Sequence, residues 1–148
     1  MAVYLVHHAD AVAPYIDPMR PLSDRGRADA TRLAETVAKR GVKPDVIWHS
    51  GKLRARQTAE LFWKACNPLA TVTMVRGLLP DDPATWVRDQ LEGETRSVLL
   101  VSHMPYLPRL LQVLCGHDEN AAAAFPQHGC VALERSGEFW TERWRLGP

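Results

Sequence analysis

Two short apolar runs, VYLV at 3–6 and SVLLVS at 97–102, constrain this chain more than any other feature. Each sets Val and Leu on consecutive positions. That is the pattern of a strand covered on both faces, not the alternation of a half-exposed one. DVIW at 45–48 and TVTMV at 71–75 carry weaker versions of the same signal. Between these runs the period changes to that of a helix. In SDRGRADATRLAETVAKRG the apolar positions Ala30, Leu33, Ala34, Val37 and Ala38 share one face, Ser23 is placed to cap the start, and Gly41 follows the last turn. KLRARQTAELFWKAC repeats the pattern with Leu53, Ala55 or Ala59, Leu61 and Phe62. PATWVRDQLEG and YLPRLLQVLCG supply two more helices, each stopped at a glycine.

Strand and helix therefore alternate along most of the chain. This implies an α/β fold with a mostly parallel sheet and helices on both faces. The C-terminal segment differs: GCVALERSGEFWTERWRL reads as two strands joined through Ser136-Gly137, a hairpin added at the sheet edge. Pro14, Pro18 and Pro21 make APYIDPMRPL (13–22) a loop, and NAAAAF at 120–125 supports no assignment. A chain of 148 residues is one ordinary domain, spanning 1–148, with enough length for a core that needs no staples. Eighteen Lys and Arg against seventeen Asp and Glu leave no basic field for nucleic acid. Cys66, Cys115 and Cys130 are odd in number and widely spaced, which suits a reducing compartment and small core residues. The start lacks the cationic and apolar regions of a signal peptide, and no run approaches a membrane span. The expectation is a cytoplasmic monomer with neither membrane nor nucleic acid as partner.

Ligands of open parallel sheets bind beyond the carboxyl ends of the strands. Strand one ends at His7-His8, strand two at His49-Ser50, and strand four at Ser102-His103. Arg54 opens the helix after strand two, and Arg20 precedes the Ser23 cap. Imidazoles, guanidiniums and a helix N-terminus on one rim make an anion site, and phosphate is the commonest such anion. A metal site on His7, His8, Asp10 and His103 is the competing reading. It is disfavoured because neighbouring strand residues point to opposite faces and no HxH or HExxH spacing is present. The expectation is no metal and no cofactor. Asp10 reads as closing a turn, and Trp63, Trp86, Trp140 and Trp144 as packing residues. His49, His117 and His128 follow no usable pattern.

LVHHADA, RPLSDRGRADA, HSGKLRARQTAE and SVLLVSHMPYL, in that order and spacing over roughly residues 2–115, resemble the histidine phosphatase superfamily, whose fold is phosphoglycerate mutase-like. The small size and the RPLSDRG segment look most like its SixA-type phosphohistidine phosphatase branch. The resemblance implies that His8 accepts a phosphoryl group, that His103 is the second catalytic histidine, and that Arg54 and Arg20 bind the substrate. Two positions depart from the family pattern: its arginine is His7 here, and its glycine is Ala9. His7 is then expected to be a weaker, pH-dependent stand-in for the arginine in substrate binding. An acid for the leaving group is expected, if anywhere, at Asp81 or Asp82 of GLLPDDP, which read equally well as caps of the next helix. The implied activity is metal-independent removal of the phosphoryl group from phosphohistidine on a partner protein, possible because no long insertion covers the site. The alternatives are a phosphomonoesterase acting on a phosphorylated small molecule, and a phosphate- or phosphoprotein-binding module without turnover.

Overall fold

The computed structural model describes residues 1–117 and 124–148, so most of the NAAAAF run lies outside the described residues. The elements run β1 (Ala2–His7), α1 (Asp24–Lys39), β2 (Val46–His49), α2 (Leu53–Cys66), β3 (Thr71–Met74), α3 (Ala84–Glu92), β4 (Val98–Ser102), α4 (Tyr106–Leu114), β5 (Cys130–Ser136) and β6 (Phe139–Leu146). They build one six-stranded sheet in the order β3-β2-β4-β1-β5-β6. The β1–β4, β2–β4 and β2–β3 pairs are parallel, while β5 lies antiparallel to β1 and β6 to β5. The sheet is thus mostly parallel with an edge hairpin, as the strand and turn signals imply.

Consecutive apolar residues divide between the two faces, as a pleat requires. Val3, Leu5, Trp48, Val98 and Leu100 face α3 and α4 with Leu107, Leu110 and Val87. Val6, Ile47, Leu99 and Val101 face α1 and α2 with Leu33, Val37 and Phe62. Both faces are covered, which is why β1 and β4 carry no alternation.

Helix α1 begins where Ser23 accepts a hydrogen bond from the Gly26 N–H at 3.0 Å, and it ends at Arg40 with Gly41 following at φ 85°. Its buried face is Ala30, Leu33, Ala34 and Val37, with Ala38 at the margin. Two expectations shift. The buried face of α2 is Ala55, Thr58, Ala59 and Phe62, whereas Leu53 and Leu61 are only half-buried. The rotation has a cause: Thr58 turns inward to accept the Ala9 N–H at 3.0 Å, while its own hydroxyl donates to the Arg54 carbonyl. The third strand is at the sheet edge and largely exposed, since the Thr-Val-Thr-Met alternation offers only Val72 to a neighbouring helix.

The loop after β1 is locked onto α1. The Asp10 carbonyl accepts the Ser23 N–H at 3.0 Å, and the Asp10 carboxylate accepts the Ser23 hydroxyl at 2.7 Å. Gly26 lies flat against the same Asp10 backbone, where a Cβ would collide with the carbonyl oxygen. Gly26→Ala should therefore destabilise the fold by ~1–3 kcal/mol, as overpacking does elsewhere. Urea unfolding of the two proteins checks this, and coincident curves would contradict it.

Candidate active site

The carboxyl ends of β1, β2 and β4 form one rim of the sheet. Because β5 runs the other way, its first residues lie at that same rim: Cys130 pairs with Val6, and the His7 N–H donates to the Gly129 carbonyl at 3.0 Å. On the other side His7 pairs with Ser102, and the His8 N–H donates to the Ser102 carbonyl at 3.1 Å. The chain end of β1 is held from both sides. Four imidazoles meet there. The His7 and His8 ring centroids are 4.5 Å apart, those of His8 and His103 5.0 Å, and those of His7 and His128 4.8 Å with the planes 8° from parallel.

Backbone partners set the tautomers. The His8 Nδ1–H donates to the Ala9 carbonyl at 2.8 Å, so its Nε2 carries a lone pair. His7 is the reverse: its Nδ1 accepts the His128 backbone N–H at 2.8 Å, so its proton sits on Nε2. The His128 Nδ1–H donates to the His8 carbonyl at 2.7 Å. The His103 Nε2 is bonded to the Ser50 hydroxyl at 2.7 Å, and its Nδ1 is buried without a partner.

Burial holds the His7, His8 and His103 rings neutral. It pushes His8 down to about 4, helped by the Arg54, His128 and Arg20 charges against the opposing Ala9 hydrogen bond. His7 falls to about 3, through burial first and then His8, His128 and Arg54. His103 falls to about 3 for the same leading reason, with His8 and Arg54 adding to it. Arg54 lies in the first turn of α2 with its Nε buried and unpaired, and burial and the nearby Arg20 lower its pKa. Arg20 reaches the rim from the proline loop, its Nε donating to the Val12 carbonyl at 3.0 Å.

Residues separated widely in sequence, His7, His8, Arg20, Arg54 and His103, are therefore gathered on one rim around a pair of cationic groups. His49 is not among them: its Nδ1 accepts the Gly51 N–H in the turn after β2. Asp10 has the turn-closing role read from the sequence. Asp81 and Asp82 do not cap α3, whose N-cap is Pro83 with no side-chain bond. Asp82 instead accepts the Leu79 N–H at 2.9 Å and closes its own turn, at the edge of a 450 Å³ cavity that also reaches Ser50, Arg76 and Trp86. Asp81 is exposed.

Three residues escape sequence reasoning. His128 enters because an antiparallel strand starts where the parallel ones end. Ser50 is the partner of His103, and Thr58 holds Ala9. Metal-ligand geometry also differs from the set weighed above: the ring nitrogens of His7, His8 and His128 lie within 4.8 Å of one another, whereas Asp10 is committed to Ser23. The trio suits a metal poorly, since His7 presents an N–H and not a lone pair.

The same bond bears on the expectation that His7 is a titrating stand-in. Protonating Nδ1 would break its contact with the His128 N–H, so His7 is a neutral donor through Nε2. Tungstate affinity in wild type and His7→Arg should accordingly follow parallel pH profiles between about pH 6 and 8. Divergence above neutrality, measured by calorimetry, would restore the titrating reading.

The three depressed imidazoles also link stability to pH. Their ordinary value is 6.5, and the folded state keeps them neutral well below it. Below about 6.5 the unfolded chain takes up protons that the folded one refuses. Stability is full above that point and lost towards pH 4, by up to ~1.4 kcal/mol per pH unit for each ring. Urea unfolding at about pH 7.5 and about pH 5 reads the loss, which His103→Gln should reduce. Equal stability at the two values would refute it.

A model of the histidine phosphatase superfamily (branch 1) matches residues 7–78. Phosphohistidine phosphatase SixA of Escherichia coli (strain K12) is 27% identical over 153 residues, covering 100% of this chain and 94% of that one. The structure of the protein histidine phosphatase SixA complexed with tungstate superposes with a TM-score of 0.86 at 25% identity, over 99% of this chain and 97% of the other. A SixA-type protein of Agrobacterium tumefaciens gives 0.81 at 28% identity, over 99% and 97%.

Proposed function

The chain belongs to the histidine phosphatase superfamily, and from that premise we propose that it hydrolyses phosphohistidine on a partner protein through a phosphoryl group carried on His8. One observation carries the reading. The Ala9 carbonyl fixes the His8 proton on Nδ1, which leaves Nε2 as a lone pair in a ring held neutral by burial. A neutral imidazole with its free nitrogen at a cationic rim is a nucleophile ready for phosphorus.

The steps follow from the neighbours. The His8 Nε2 attacks in line, the bond from phosphorus to the substrate nitrogen breaks, and water then cleaves the new bond to Nε2. Charge on the transferred oxygens meets fixed donors: the unpaired Arg54 Nε, the partnerless His103 Nδ1 when it carries the proton, the His7 Nε2–H, and the Arg20 guanidinium. The Ser50 hydroxyl accepts the Lys52 N–H at 3.3 Å and so is free to give its own proton to the His103 Nε2. That arrangement puts the remaining ring proton of His103 on Nδ1. The mechanism asks nothing of a metal, because the cations are supplied by side chains.

Phosphohistidine is the preferred substrate class for a physical reason. Among the described residues, the Asp10 and Asp82 carboxylates are each committed to a turn, which leaves neither well placed to protonate an alkoxide. A nitrogen leaving group makes the smaller demand. The neutral donor at His7 in place of an always-charged fork weakens the grip on phosphate, by on the order of 1.5–3 kcal/mol per charge-assisted bond lost.

Phosphate release from a histidine-phosphorylated carrier protein tests the reading. Wild type should turn over, His8→Ala should be inactive, and Arg54→Ala should be slowed roughly a hundred- to a thousandfold. A wild type that binds the phosphorylated carrier without releasing phosphate would leave a binding module in its place.

A further inference from the structure

His128 is the one imidazole of the rim with no part in the steps above, and it is held there by three contacts. Its backbone N–H binds the His7 Nδ1, its ring stacks on His7, and its Nδ1–H binds the His8 carbonyl. That last bond leaves the His128 Nε2 without its own proton, as a site that can take one up and give it away. Its backbone is unusual as well. Among the described residues only Arg20 and His128 adopt a positive φ without being glycine, at 50° and 54°, and both are at this rim. Such a conformation costs about 1–2 kcal/mol and persists where the surrounding structure demands it. Gly129 follows it, where a Cβ would strike the Leu146 carbonyl oxygen and Pro126.

Position and exposure separate His128 from its neighbours. His7, His8 and His103 are buried, whereas His128 is half-buried and so in touch with solvent. The ring nitrogens of His7, His8 and His128 lie within 4.8 Å of one another. One nitrogen of each ring is therefore close enough for a phosphoryl group bonded through phosphorus to one ring to reach another by a hydrogen bond of about 2.8 Å from its oxygen. Among the described residues, the Asp10 and Asp82 carboxylates are committed to turns.

We propose that His128 is the proton carrier of the reaction: its Nε2, bare at rest, takes a proton from solvent, gives it to the group that leaves phosphorus and recovers one from the water that follows. This rests on the phosphatase reading of the site. In the first half, the His8 Nε2 bonds to phosphorus, the substrate's P–N bond breaks, and the departing nitrogen takes the His128 proton. In the second half, water oxygen bonds to phosphorus and the P–Nε2 bond to His8 breaks. The proton lost by that water returns to His128, so the cycle closes without a net change in the protein. The groups that face His128 are His7 and His8 from the end of β1, and around His8 in turn stand Arg54 from α2, Arg20 from the proline loop and His103 after β4.

His128→Asn and His128→Gly test the role, since both residues tolerate a left-handed backbone. Asn keeps a donor for the His8 carbonyl but has no titrating nitrogen, and Gly leaves room for an added imidazole. With the histidine-phosphorylated carrier protein, both should turn over roughly a hundredfold more slowly than wild type. Both should also lose one limb of the pH–rate profile and keep tungstate affinity within a few-fold, and free imidazole should restore rate to the Gly variant. Variants that match the rate and pH profile of wild type would overturn the role. So would loss of tungstate binding with no rescue by imidazole, which would make His128 a scaffold residue. A wild type without turnover would overturn the phosphatase reading itself, and the proton carrier would fall with it.

Discussion

The pairing of β1 on both of its edges is the constraint on which the site depends. A parallel neighbour, β4, and an antiparallel one, β5, hold the same strand, and their hydrogen bonds continue past its last paired residue to His7 and His8. Backbone bonds of this kind leave a strand end little freedom. Two adjacent histidines, which would diverge along a regular strand, are turned instead into one imidazole cluster where the strand stops. Each then finds a different backbone partner, and the partner decides which nitrogen bears the proton. The chemistry of His7 and His8 differs because their main-chain surroundings differ, although the residue type is the same.

A second layer of bonds carries this order outward. Thr58 ties Ala9 to α2, and Asp10 ties the following turn to the cap of α1 through Ser23. The proline loop that brings Arg20 to the rim lies between those anchors, and an isolated bridge between Ala11 and Leu22 closes its base. The helix that brings Arg54 is positioned by the same Thr58. Two guanidiniums and four imidazoles would repel one another if all were charged, and burial resolves the conflict by keeping the inner rings neutral. What remains is a rim with fixed positive charge at its edge and lone pairs or neutral donors within.

Much of this was legible in the chain, and the gaps have physical causes. VYLV and SVLLVS read directly as central strands because both faces of the sheet are covered. TVTMV carried the same letters more weakly, and its position at the edge follows from alternation that a five-residue window barely registers. The face of α2 is legible at Ala55, Ala59 and Phe62 but not at Leu61, because a polar residue, Thr58, outranks that leucine for the interior when it has backbone groups to satisfy. His8, Arg54 and His103 stand at strand ends or a helix start, and their motif spacing carries them to one rim. His128 does not stand out, since the rule that finds ligand sites in parallel sheets looks only at carboxyl ends. Its placement emerges once β5 is known to run against β1, which no local pattern near position 128 encodes.

The stacking of His7 on His128 has a consequence for how the chain can change over generations. The two rings share a face, and the backbone at 128 needs an acceptor on the residue at 7. An arginine at position 7 offers no lone pair to the 128 N–H, so that replacement leaves a donor without its acceptor unless position 128 changes as well. The two positions are thus coupled: a change at one is felt at the other through the shared ring face and the Nδ1 contact.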